Sequence, residues 1–109
     1  MRAGKSIRMA KWLVANWKMN GDGSRVRSFA FSLNRVAASS AADRVIFCPP
    51  VPFLTNARDA LPHNPSLLLG AQNCHMERLG AYTGEVSVGM LHEAGARFVL
   101  VGHSERRTM

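Results

Sequence analysis

Four short runs of this chain are apolar at consecutive positions: "WLVANW" (Trp12 to Trp17), "RVIFC" (Arg44 to Cys48), "SLLLGA" (Ser66 to Ala71) and "RFVLV" (Arg97 to Val101). A strand with one wet face alternates apolar and polar residues. A strand without that alternation is buried on both faces, which happens chiefly in parallel sheets covered by helices. The intervening stretches supply such helices. From Ser24, expected as an N-cap, Val26, Phe29, Ala30, Leu33, Val36 and Ala37 recur at helical spacing, with Arg25, Arg27, Ser28 and Arg35 between them. A second helix enters through Pro52, where a missing N–H costs nothing, and carries Phe53, Leu54, Ala57 and Leu61 inward. A third opens at Ser87, turns Val88, Leu91 and Ala94 inward and closes at Gly95. The order β-α-β-α-β-α-β calls for right-handed crossovers between parallel neighbours. Both an open doubly wound sheet and part of a (β/α)8 barrel satisfy it.

The length of 109 residues holds one small domain. Residues 1–10 read as a disordered basic lead-in without a signal-peptide core, and residues 11–109 as the folded unit. No run reaches the ~18 to 20 apolar residues of a membrane span, so no membrane partner is expected. The cysteines, Cys48 and Cys74, give no disulfide framework and are expected to be reduced thiols of a cytoplasmic protein. Arg2, Lys5 and Arg8 of the lead-in, with Lys11 directly after it, contribute much of the net charge of +7, and most other basic residues are scattered singly. A nucleic-acid binder clusters its basic residues and interleaves aromatics, which this chain does not do. A mild positive field suits a small phosphorylated substrate.

In either architecture the active site lies at the carboxyl ends of the strands. Candidates stand at those positions. Asn16 and Lys18 end the first run, Gln72 and Asn73 follow the third, and His103, Ser104 and Glu105 follow the fourth. The Lys18 ammonium is a point charge suited to phosphate or carboxylate, or else a surface lysine with a buried stem. Asn16 is a donor and acceptor toward a ligand, or a cap on its own strand. His103 precedes what reads as a helical turn. The positive end of a helix dipole disfavours imidazolium, so a neutral ring could donate to a carbonyl, and a structural histidine is the plainer reading. Arg106 and Arg107 read as ion-pair or surface residues, and His63 and His92 as surface residues. Cys74 and His75 are adjacent, point apart and lack a second ligand pair, so no metal is expected. "NGDGS" has neither the dinucleotide fingerprint nor a Walker lysine.

The motifs "ANWKMNG", "FCPP", "LGAQNCH…GAYTGEVSVGML" and "VLVGHSERR" together resemble the triosephosphate isomerase family, over about Lys11 to Arg107 and in that family's order. The resemblance implies the first four β/α units of a (β/α)8 barrel that interconverts dihydroxyacetone phosphate and D-glyceraldehyde 3-phosphate, in glycolysis and gluconeogenesis, without a cofactor. It implies that Asn16 and Lys18 contact the substrate, with Lys18 pairing with its phosphate and stabilising developing negative charge. It implies that His103 polarises the carbonyl and shuttles protons, supported by Ser104 and Glu105. The segment from Gln72 and Asn73 through Thr83, Gly84 and Glu85 matches the family's dimer loop. Thr83 would then approach Asn16 and Lys18 of a second copy, and Glu85 would meet an arginine such as Arg106.

The family's general base is a glutamate after the sixth strand, and its lid and much of its phosphate site come later still. None is matched within these residues. Proton abstraction next to a carbonyl needs a positioned base, and the chemistry needs water excluded. The expectation is therefore an isomerase sequence whose 109-residue chain is inactive alone. Its first and fourth strands would be open edges that invite association. A self-associating half-barrel that binds phosphate ligands without catalysis is the alternative.

Overall fold

A computed structural model describes residues 10–101. Its elements are β1 (Trp12–Asn16), α1 (Gly23–Phe31), α2 (Leu33–Ser39), β2 (Arg44–Cys48), a 3-10 turn at Val51–Phe53 running into α3 (Leu54–Ala60), β3 (Leu67–Ala71), α4 (Val88–Glu93) and β4 (Phe98–Val99). The expected lead-in lies outside the described residues except for Ala10, as do the candidates His103, Ser104, Glu105, Arg106 and Arg107.

All strand pairings are parallel, in the order β1-β2-β3-β4. A doubly wound sheet reverses its strand order at a switch point. The described strands follow one another with no reversal, as in a barrel wall. Residues in register share a face. Val45, Phe47, Leu67, Leu69 and Ala71 join Val26, Ala30, Leu33, Leu54, Ala57, Leu91 and Ala96 of the helices and their flanks in one buried core. The other face carries Ile46, Cys48 and Gly70. A Cβ on Gly70 would stand 2.7 Å from Cys48 Sγ and 3.1 Å from Ile46 Cγ2, so glycine lets neighbouring strands pack closely here.

The rings of Trp12 and Phe98, from the outermost strands, meet edge to face at 5.2 Å. Neighbouring strands are spaced ~4.8 Å apart, so side chains standing upright on the first and fourth strands of a flat sheet would be ~14 Å apart. The contact requires the sheet to curl toward this face. Curl and strand order together select the barrel architecture over the open sheet.

Several local expectations are corrected. The first helix is capped by Asp22 rather than Ser24: the Asp22 side chain accepts from Arg25 N–H at 2.9 Å, and the helix begins at Gly23. The expected single helix divides at Ser32, whose Oγ turns back to donate to the Phe29 carbonyl at 2.8 Å. Such back-bonding bends helices. Val88 is 55% exposed rather than inward. The first run, expected to be buried, forms an edge strand with Trp12, Leu13 and Val14 exposed, because among the described residues β2 alone pairs with it. The fourth strand is shorter than its apolar run, although Arg97 N–H and Leu100 N–H still donate to Leu69 and Ala71 carbonyls at 2.8 and 2.9 Å. Ser87 caps α4 as expected, accepting from Met90 N–H at 3.3 Å, and Gly95 ends it at φ +106°.

Candidate active site

The carboxyl ends of β1, β2 and β3 converge on a cleft of about 310 Å³ lined by Lys18, Pro50, Val51, Gln72, Asn73 and Glu85, among others. Each strand ends in a way its sequence explains. After β1 the ladder continues for one residue, with Trp17 N–H donating to the Cys48 carbonyl at 3.1 Å. The chain then turns sharply. Lys18 N–H donates to Asn16 Oδ1 at 2.9 Å, and Lys18 has φ +54°. An Asn side chain that bonds its own backbone two residues on is an Asx turn. Lys18 is the sole non-glycine with positive φ among the described residues. A long side chain held there costs roughly 1 to 3 kcal/mol, and such residues concentrate at functional sites.

After β2, Pro49 and Pro50 cannot extend the ladder and lead into the proline-started 3-10 turn. Cys48 is 1% exposed, and burial pushes its thiol from 9.0 up to about 11. The group is neutral near pH 7 and is packing rather than a nucleophile.

After β3, Gln72 reaches across the strand ends. Its amide Nε2 donates to the Lys18 carbonyl at 2.8 Å and to the Cys48 carbonyl at 2.9 Å. The loop that follows is closed at its base where His75 N–H donates to the Val86 carbonyl at 2.8 Å. His75 Nδ1 accepts from Glu77 N–H at 3.1 Å, and its ring lies 4.2 Å from that of Tyr82. Met76 and Leu79 are 90% and 78% exposed on this loop. Thr83, Gly84 and Glu85 lie on its exposed return, and Gly84 takes φ +90°.

Of the residues singled out from sequence, Lys18, Gln72, Asn73, Gly84 and Glu85 line one cleft, and Asn16 braces its rim. His103, Ser104 and Glu105 fall outside the described residues. From sequence, Gln72 is expected at the end of the third strand and in the dimer loop, and its brace between β1 and β2 is not expected. The available signal was a two-donor amide placed directly behind an apolar strand. The cleft wall formed by Pro50, Val51 and Pro52 was also missed. No group of three or more His, Cys, Asp or Glu residues that could hold a metal occurs among the described residues. None of their helices is long and apolar enough to cross a membrane.

The triosephosphate isomerase family model matches residues 11–109. The chain belongs to the triosephosphate isomerase family. It is 50% identical over 99 residues to the triosephosphate isomerase of Halorhodospira halophila, covering 91% of this chain and 38% of that protein. It is 42% identical over 105 residues to that of Bartonella tribocorum, covering 95% of this chain and 41% of the relative. The crystal structure of triosephosphate isomerase from Bartonella henselae superposes with a TM-score of 0.78 at 40% identity, over 93% of this chain and 41% of that one. The chain thus spans about two fifths of the length of these family members. The family match agrees with the barrel architecture read from strand order and curl.

Proposed function

We propose that residues 11–109 supply the substrate-binding and electrophilic half of a triosephosphate isomerase site, interconverting dihydroxyacetone phosphate and D-glyceraldehyde 3-phosphate by enediolate proton transfer in glycolysis and gluconeogenesis. The observation that carries this reading is Lys18, fixed in a left-handed conformation at the end of β1 and lining the cleft. Its ammonium pairs with the substrate phosphate and stabilises the charge that develops on oxygen. Asn16 holds the turn that presents it and contacts the substrate. His103, a short step in sequence beyond β4, donates to the carbonyl and carries the proton between the enediolate oxygens, with Ser104 and Glu105 beside it. No cofactor takes part.

The proton-abstracting carboxylate is not among the residues assigned these roles, so the chain by itself leaves carbon-bound hydrogen in place. The protein acts in the cytoplasm as a homodimer in which Thr83 approaches Asn16 and Lys18 of a second copy and Glu85 meets an arginine such as Arg106; the exposure of Met76 and Leu79 on this loop supports the dimer. The open edge at β1 favours a second reading, a self-associating half-barrel that binds phosphate ligands without turnover.

The test is an isomerase assay of the 109-residue chain alone and joined to the remaining portion of the Halorhodospira relative. The expected result is no turnover alone and turnover when joined, abolished by Lys18→Ala and reduced at least about a hundredfold by His103→Gln. Enzyme-like turnover by the chain alone overturns the half-site reading. A joined chain indifferent to Lys18 and His103 overturns their assignments.

A further inference from the structure

Gln72 stands at a junction that the proposed chemistry does not itself use. Its amide donates to the carbonyl of Lys18 and to that of Cys48, thereby tying the turn after β1 to the end of β2 from a position after β3. The Lys18 carbonyl belongs to the one non-glycine among the described residues whose φ is positive. From the amino side, Lys18 N–H is held by Asn16 Oδ1. The left-handed peptide is therefore gripped at both ends, by Asn16 within its own strand and by Gln72 from two strands away. The Asn16 grip is local and survives any movement of β1. The Gln72 grip is tertiary and fixes where the turn sits relative to the cleft.

We propose that Gln72 is a positioning residue that sets the Lys18 backbone, and with it the direction in which the ammonium enters the cleft, for an anionic ligand. A carboxamide is the group required: two N–H donors on one nitrogen can serve two carbonyls at once. A carboxylate of the same length would present acceptors to acceptors, and a thioether would present no donor. The role differs from the intersubunit contact expected for Gln72 from sequence. It rests on the assignment of Lys18 as the phosphate partner, and its test separates the two.

The probe is inorganic phosphate titrated into the 109-residue chain, with the ¹³Cα and ¹³Cβ shifts of Lys18 read as a report of its backbone conformation. Native chain is expected to show left-handed shifts at Lys18. Gln72→Met and Gln72→Glu are expected to move those shifts toward the right-handed or extended range and to weaken phosphate at least about tenfold. Left-handed shifts and undiminished affinity in a folded Gln72→Met chain overturn the proposal. If the native chain ignores phosphate, the same titration of the chain joined to the remaining portion of the Halorhodospira relative decides the assignment of Lys18, which fails if Lys18→Ala leaves that affinity unchanged, while the shifts still decide the role of Gln72. A Lys18→Gly background guards against simple unfolding, because glycine takes positive φ without strain. Gln72→Met is expected to lower the denaturation midpoint more there than in the native background, where release of the Lys18 strain offsets part of the lost bonding. An equal fall, or failure to fold in both backgrounds, would mark Gln72 as general packing and sink the proposal.

Discussion

At the residue scale, the site depends on atoms placed where little else fits. Gly70 lacks a Cβ because Cys48 Sγ occupies that direction at 2.7 Å, and Cys48 is buried as a consequence of the same close packing. Burial raises the folded thiol to about 11 from an ordinary 9.0, so the folded state keeps its proton where the unfolded chain has released it. Stability from this group is fully present below pH 9.0 and is lost as pH rises through 11, by about 3 kcal/mol in all. Urea midpoints compared at pH 8 and near pH 11 should therefore fall more for the native chain than for Cys48→Ala. Equal falls would show that Cys48 is not the group responsible.

At the element scale, α1 has a single side-chain cap. Asp22 accepts from Arg25 N–H, and its carboxylate stands 3.8 Å from the Arg25 guanidinium, where both groups are exposed. Exposed pairs contribute little, so the cap is the larger effect. Asp22→Ala should cost ~1 kcal/mol, seen as a lower denaturant midpoint with an unchanged slope, whereas Ser24→Ala should cost less. Ser24 is the expected cap from sequence because serine caps helices well and the apolar spacing starts just after it. Asp22 won because its carboxylate reaches an N–H in the first turn, a fact of backbone direction that composition does not carry. The division of the helix at Ser32 was invisible for the same reason, since apolar spacing runs through it without a break. The strands were legible because a both-faces-buried run leaves an unbroken apolar string. Two strands depart from expectation: β1 is exposed, since exposure depends on what lies beside a strand, and β4 is shorter than its apolar run.

At the scale of the whole molecule, the curled sheet leaves β1 at one end with Trp12, Leu13 and Val14 between 40% and 50% exposed. Such an edge presents unpaired backbone groups flanked by apolar side chains. The chain should therefore associate with increasing concentration in sedimentation velocity, and Val14→Lys should shift it toward monomer. A chain that stays monomeric across a wide concentration range would show that this edge is not adhesive.

The sequence by itself determined the element order, the parallel class, the inward residues of most helices and the clustering of Asn16, Lys18, Gln72 and Asn73 at strand ends. These follow from local periodicity and from the alternation rule, which neighbouring residues alone express. Through its motifs it also pointed to the family that the comparisons show. The tertiary structure decided between barrel and open sheet, because strand order and the Trp12–Phe98 contact exist only once separate strands are assembled. It also gave Gln72 its bonds to Lys18 and Cys48. Those join residues 54 and 24 positions apart, a separation at which spacing along the chain no longer says what touches what.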